Sequence, residues 1–242
     1  MSKKVFITKQ TQKRLLRDVA DIMKNNLSNQ GIYYIHDEED ILKGYAMIFG
    51  PGDTPYEYGV YFFNFFFPNN YPFSPPTLKY LTNDGYTRFN PNLYRNGKVC
   101  LSVLNTWRGE QWTSCQTIRS ILLTLVTVLN KNPLINEPGI KLSNPDVEKY
   151  NNIIKYRNFE VAICKVLKKD LLPMKHISFY PIIRNYFETN KDKVIEKVRK
   201  DYELYKNKYK SCEFRTRIYG MTCIPKYEHL IKDLKKQLNI IN

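Results

Sequence analysis

Between residues 87 and 107 the chain reads TRFNPNLYRNGKVCLSVLNTW. Cys100 ends two successive polar turns, Asn-Pro-Asn and Arg-Asn-Gly-Lys, and no histidine stands near it in sequence. A thiol that attacks unactivated amides needs an imidazole base beside it. The three histidines, His36, His176 and His229, lie in an acidic turn and in the C-terminal part, so cysteine hydrolysis is disfavoured. A thiol that only takes an acyl group from another thioester has no such need, because thiol exchange runs near neutrality. When an amine then attacks that acyl group, an oxyanion develops, and a side-chain amide such as Asn92 can donate to it. Asn and Gly are the residues that build turns able to present such an amide. The structural alternative is turn-forming asparagines beside an inert, packed cysteine. The chemical reading sets two conditions: a sulfur reachable from solvent, and an amide facing the approach path.

The flanking sequence must position this segment. Apolar residues at helical spacing (Leu15, Leu16, Val19, Ala20, Ile22, Met23) predict a helix over residues 8–27. Thr8 or Thr11 is available as its N-cap and Gly31 closes it. GIYYIHDEED and LKGYAMIFGP predict two short strands, YGVYFFNFFFPNNYP a third and TLKYL a fourth. Their short connections imply an antiparallel meander covered by helices, an α+β architecture. YPFSPP is a rigid turn, with Tyr71-Pro72 a candidate cis bond. Residues 84–112 show no periodicity, and long irregular segments in compact domains are often functional. SCQTIRSILLTLVTVLNK predicts a buried helix, and NPLINEPG a proline-containing loop after it. Three amphipathic, basic helical stretches follow Ser143.

Charge is unevenly divided. Residues 1–140 carry 15 Lys and Arg against 11 Asp and Glu; residues 141–242 carry 23 against 12. This C-terminal excess suits acidic partners, whether protein, nucleic acid or membrane surface, or simply a solvated helical face. No Gly-rich phosphate loop, RNP-type motif or zinc-ligand pair supports nucleic-acid binding as the main function. No apolar run is long enough to span a membrane. The charged N-terminus does not resemble a secretory signal. The cysteines at 100, 115, 164, 212 and 223 form an odd set without CxxC spacing, which suggests neither a metal site nor a disulfide framework. A reducing compartment, cytoplasm or nucleus, is expected, with Cys115, Cys164, Cys212 and Cys223 as packing residues.

Taken in order, GPGDTPYEYGVYFFNFFFPNNYPFSPP, RFNPNLYRNGKVCLSVL, Trp112 and NPLINEPG resemble a ubiquitin-conjugating enzyme. The likeness is to the Z-type enzymes with a C-terminal extension, and to the related domain of giant inhibitor-of-apoptosis proteins. It covers roughly residues 8–140, with a weaker similarity through YNNIIKYRNFEVAIC. The resemblance implies the UBC fold: an N-terminal helix, a four-stranded antiparallel meander, a long active-site segment, then helices. It divides the chain into a catalytic core, 1–150, and a basic helical extension, 151–242. Cys100 would accept ubiquitin or a ubiquitin-like modifier from an activating enzyme and pass it to a substrate lysine, alone or with a ligase. ATP is used by the activating enzyme, so no cofactor or metal is implied for this chain. Asn92 matches the family's active-site asparagine. Asn90 replaces the usual histidine before Pro91, where it can cap the turn; Trp112 completes the loop. Glu137, or in second place Asn136, falls near the acidic residue that aligns the incoming lysine. Lys9, Lys13, Arg14 and Arg17 correspond to the surface that meets the activating enzyme, and Phe73 to the residue that docks on RING-type ligases. The second docking loop reads Trp-Thr-Ser-Cys around Ser114 where the family has Trp-Ser-Pro-Ala, a departure that puts ordinary RING pairing in question. A catalytically inactive member of the same fold, acting as an interaction protein, is the main alternative.

Overall fold

A computed structural model describes residues 7–239. The charged first six residues and the last three, which include part of the final amphipathic stretch, lie outside the described residues. Helix α1 (Lys9–Lys24) starts where the Thr8 hydroxyl accepts the Thr11 backbone N–H at 3.1 Å, supplying one of the partners a first turn lacks. It ends at Lys24, capped by Asn25, three residues before the expected end. A 3₁₀ turn (Ser28–Gln30) follows, and Gly31, at φ +72°, closes that turn rather than the helix.

Strands β1 (Ile32–His36), β2 (Lys43–Phe49), β3 (Val60–Phe66) and β4 (Thr77–Tyr80) form one antiparallel meander in chain order. Register places Tyr34 opposite Ala46, Ala46 opposite Phe63 and Phe63 opposite Tyr80. Side chains alternate between faces along a strand. One face therefore carries Ile48, Tyr61, Phe63 and Phe65, the other Tyr45, Met47, Phe49 and Phe62. Both sets are buried, which is why these strands read as nearly continuous apolar runs rather than alternating ones. Helix α2 (Ile118–Val128) begins with a capping box between Thr117 and Ser120 and buries Ile118, Ile121, Leu122 and Leu125 in the same core.

Helix α3 (Asp146–Arg157) runs straight into a π-helical stretch (Asn158–Lys165). The boundary at residue 150 drawn from sequence thus falls within a helix. Asn158, almost fully buried, accepts the Tyr61 hydroxyl at 2.5 Å and donates to the Glu57 carbonyl at 2.8 Å, pinning that stretch to β3. A 3₁₀ turn (Met174–Phe179) crosses the other sheet face, and α4 (Tyr180–Tyr209) continues along it. Phe49 stacks on Tyr186 with ring centroids 3.9 Å apart, and His176 packs against Phe62 at 5.1 Å and Tyr45 at 5.3 Å. The two-residue strands β5 (Phe214–Arg215) and β6 (Thr222–Cys223) pair as a ribbon before α5 (Tyr227–Gln237), which packs on α4 through Tyr202, Tyr205 and Tyr227. The extension therefore seals a sheet face with its own aromatic residues and shares one continuous core with the meander.

Burial holds the His176 imidazole pKa down to about 4. The unfolded chain binds that proton at about pH 6.5, so it takes up a proton the folded state refuses as pH falls. Stability is full above about pH 6.5 and is lost progressively toward pH 4, by at most about 3 kcal/mol. Replacing His176 by Phe, which keeps a ring in the pocket, should flatten this decline. Denaturant midpoints at pH 7 and pH 4.5 check it; an equal drop in both proteins places the titrating group elsewhere.

Candidate active site

Residues 84–112 form an irregular segment, so its backbone polar groups must find partners outside a ladder. Asparagine side chains supply them. Asn90, with no exposed surface, donates from Nδ2 to the Tyr56 hydroxyl at 2.8 Å and to the Val128 carbonyl at 2.7 Å. Its Oδ1 accepts the Asn92 backbone N–H at 2.9 Å, and Tyr56 in turn donates to the Phe89 carbonyl at 2.7 Å. This residue ties the Asn-Pro-Asn turn to the end of α2. Asn92 is bonded to Cys100 twice: the Cys100 N–H donates to the Asn92 carbonyl at 2.9 Å, and Asn92 Nδ2 donates to the Cys100 carbonyl at 2.8 Å.

That geometry answers the two conditions unequally. Cys100 is only 2% exposed, so in this resting state the sulfur is covered rather than open. One Asn92 N–H is spent on the Cys100 carbonyl, which makes the amide first a clamp on the cysteine backbone. An amide nitrogen carries two donors, and the second has no protein acceptor among the described residues. Asn92 Oδ1 is likewise buried without a protein partner. Exchanging the amide's two ends would turn an oxygen toward the Cys100 carbonyl, so the orientation is fixed by that contact.

Beyond Cys100 the chain makes a 3₁₀ turn (Ser102–Leu104) and a left-handed residue, Asn105, at φ 57°. The Trp112 N–H donates to Asn105 Oδ1 at 2.8 Å and its indole N–H to the Pro72 carbonyl at 2.7 Å. Trp112 thereby joins the active-site segment to the YPFSPP turn, in which Tyr71-Pro72 is cis. Phe73 on that turn is 63% exposed, and Ser114 is also exposed. Lys9, Lys13 and Arg17 are exposed on α1, and the latter two share a shallow cleft with Gln10, Arg14 and Pro72. Arg14 lines that cleft without sharing their exposure. It is buried, pairs with Asp18 at 2.8 Å, and donates to the Ser114 carbonyl at 2.5 Å and to the Gln116 carbonyl. Asp18 also accepts the Tyr71 hydroxyl at 2.5 Å, so Arg14 is a brace between α1 and the 112–116 loop.

Glu137 follows a 3₁₀ turn (Pro133–Asn136) and is half-buried. Its neighbour Asn136 donates to the Val128 carbonyl at 3.0 Å and to Asn90 Oδ1 at 3.4 Å, so the loop is laced to the Asn-Pro-Asn turn. Sequence reasoning missed three residues here. Arg88, buried, donates to the Asn90 and Pro91 carbonyls at 3.2 and 2.7 Å and lies 3.3 Å over the Tyr94 ring. Tyr219 reaches the segment from the C-terminal part, on a loop whose backbone Asp146 holds. Arg88 adjoins a turn motif, which is a weak signal; no pattern in sequence pointed to the other two.

The remaining cysteines divide. Burial raises the Cys164 thiol pKa to about 12 and that of Cys223 to about 11, consistent with packing. Cys115 and Cys212 are exposed, contrary to the expectation that all four pack.

The fold and the arrangement around Cys100 agree with the family comparison: the family model "Ubiquitin-conjugating enzyme" matches residues 14–157, and the chain belongs to that family. Its architecture is the UBC fold. The human ubiquitin-conjugating enzyme E2 Z is 41% identical over 158 residues, covering 64% of this chain and 44% of that protein. The human dual E2 ubiquitin-conjugating enzyme/E3 ubiquitin-protein ligase BIRC6 is 47% identical over 126 residues, 48% of this chain and 2% of its own length. A probable ubiquitin-conjugating enzyme, protein 17 of Caenorhabditis elegans, is 36% identical over 197 residues, 76% of this chain and 26% of that protein. Among solved structures, human ubiquitin-conjugating enzyme E2 G1 aligns with 29% identity and a TM-score of 0.45, over 52% of this chain and 98% of that one. The chain spans about half the length of the curated relatives it matches first.

The burial pattern fixes an order of thiol reactivity. In native protein, iodoacetamide should label Cys115 and Cys212 first, Cys100 much more slowly, and Cys164 and Cys223 only on unfolding. Peptide mass spectrometry reads the order; Cys100 labelled as fast as Cys115 would mean the sulfur is open at rest.

Proposed function

We propose that this chain accepts ubiquitin or a ubiquitin-like modifier from an activating enzyme as a thioester on Cys100 and transfers it to a lysine amine. The observation that carries this reading is the double hydrogen bond between Asn92 and Cys100, set inside a segment shared with the ubiquitin-conjugating family. In loading, the Cys100 thiolate attacks the carbonyl carbon of the incoming thioester and the activating enzyme's sulfur leaves. With only 2% of the residue exposed, loading requires the segment around residues 101–112 to shift and uncover the sulfur. In transfer, a neutral lysine nitrogen bonds to the same carbon, and the C–S bond breaks with its electron pair on Cys100. The proton lost by the amine passes through Glu137 to water or to the departing thiolate. The free Asn92 N–H is the donor for the intervening oxyanion, a service worth on the order of 10²–10³ in rate. ATP belongs to the activating enzyme, and no cofactor is assigned to this chain.

Lys9, Lys13 and Arg17 form the basic face offered to the activating enzyme, and Phe73 with Ser114 the face offered to a ligase. Protein substrates supply the lysine, in a reducing compartment, cytoplasm or nucleus. The covered sulfur favours one second reading, a UBC-fold interaction protein with weak or no transfer activity.

A charging assay separates the two. With a matched activating enzyme, ATP and modifier, a reductant-sensitive adduct should form and be abolished by Cys100→Ala. Asn92→Ala should still load but discharge to lysine on the order of 10²–10³ more slowly. No adduct on the wild type across a panel of modifiers favours the interaction protein, and equal loss of both steps in Asn92→Ala assigns Asn92 to folding.

A further inference from the structure

The ribbon β5–β6 is too short to hold its own connecting loop, yet that loop is well anchored. Asp146 Oδ2 accepts the backbone N–H groups of Arg217 and Ile218, each at 2.8 Å. Thr216 donates from its backbone to the Met221 carbonyl at 2.9 Å and from its hydroxyl to the Ile218 carbonyl at 2.8 Å. Held this way, Tyr219 sits at φ 64° and ψ −1°, left-handed geometry that an aromatic residue rarely adopts. The constraint aims its ring and hydroxyl away from the extension and at the active-site segment.

Three contacts follow from that aim. The Tyr219 hydroxyl donates to Glu137 Oε2. Its carbonyl accepts Arg95 Nη2 at 2.7 Å. Its ring lies 5.1 Å from the Arg88 guanidinium, the group that holds the Asn90 and Pro91 carbonyls. Met221 adds a fourth contact, its sulfur accepting the Arg88 backbone N–H at 3.2 Å. One loop of the extension thus touches both the turn that carries Asn92 and the loop that carries Glu137.

We propose that Tyr219 is a positioning residue for the transfer step, holding the Glu137 carboxylate in the orientation that receives the incoming lysine ammonium. This rests on the transferase reading above. The hydroxyl occupies Oε2 alone, so among the described residues Oε1 remains free to accept a hydrogen bond. A half-buried carboxylate on a proline-flanked loop otherwise rotates among several orientations, and a fixed one gives a near-attack geometry without reordering at each turnover. Burial, then the adjoining Glu137 carboxylate, holds the Tyr219 phenol above its ordinary pKa, so it remains a donor at neutral pH. A purely structural tether between ribbon and loop is the competing explanation.

Tyr219→Phe keeps the ring beneath Arg88 and removes only the hydroxyl, which makes it the informative variant. Wild type, Tyr219→Phe, Glu137→Gln and the double variant are charged with ubiquitin, or with whichever modifier of the panel loads the wild type, and the purified thioesters are chased with free lysine or with buffer alone. Loading and hydrolysis by water, which involve no ammonium, should be unchanged in Tyr219→Phe, while discharge to lysine slows roughly tenfold. The double variant should be no slower than Glu137→Gln, since Tyr219 acts through that carboxylate. Unchanged lysine discharge, additive effects in the double variant, or a parallel loss of loading, hydrolysis and aminolysis would each overturn the proposal. Failure of the wild type to form any reductant-sensitive adduct would instead overturn the transferase reading, and this proposal with it.

Discussion

Side-chain amides do for residues 84–112 what a ladder does for a strand. The segment has no regular repeat, so its backbone groups must find partners in local turn bonds and in side chains rather than in a ladder. Asn90 meets this need at three points, joining the Asn-Pro-Asn turn to Tyr56 and to the end of α2. Asn92 extends the chain of bonds to both backbone groups of Cys100. Because each amide is both donor and acceptor, the run from Val128 through Asn90 and Asn92 to Cys100 has a defined direction, and the position of the sulfur follows from it. An imidazole at position 90 would offer one donor and one acceptor; the amide offers two of each, and this chain uses them.

The same constraint explains why the C-terminal part is not an appendage. Tyr45, Met47, Phe49 and Phe62 form an apolar sheet face that water cannot cover without cost, and the extension covers it with His176, Phe179 and Tyr186. Its later ribbon, anchored by Asp146, then reaches the active-site segment through Tyr219 and Met221. The extension's basic character is partly internal bookkeeping of charge, since Lys191, Lys200 and Lys206 pair with Glu188, Glu196 and Glu203 one turn away. Such exposed pairs contribute little to stability. Aromatic packing binds the extension to the core, joined by ion pairs from Lys175, Lys197 and Lys208 to acidic residues of the core.

The burial of Cys100 ties the fold to the chemistry. A covered thiol is protected from adventitious oxidation and acylation but must be uncovered by the partner that loads it. The elements around it suit that requirement: a 3₁₀ turn, a left-handed Asn105 and an exposed run before Trp112, bonded mostly within the stretch itself. The rigid side of the site is the amide-laced turn; the other side is the part able to move.

How much of this was legible without coordinates depends on the range of the interactions. Helix α1, the four strands, α2 and the irregular segment were readable because each is specified by neighbours in sequence: periodic apolar residues, turn residues and caps. Cys100, Asn90 and Asn92 were readable because their chemistry and spacing lie within one short block. Arg14 misled because a basic residue on a helix looks the same in sequence whether it faces water or a buried Asp18. Cys115 and Cys212 misled for the same reason, since a lone cysteine carries no mark of exposure. Three facts only the tertiary structure decided: the seal over the second sheet face, the covered sulfur, and the approach of Tyr219 to Glu137 across 82 positions. Each depends on two stretches distant in the chain meeting at atomic spacing, and that is set by the packing of the whole core rather than by any local pattern.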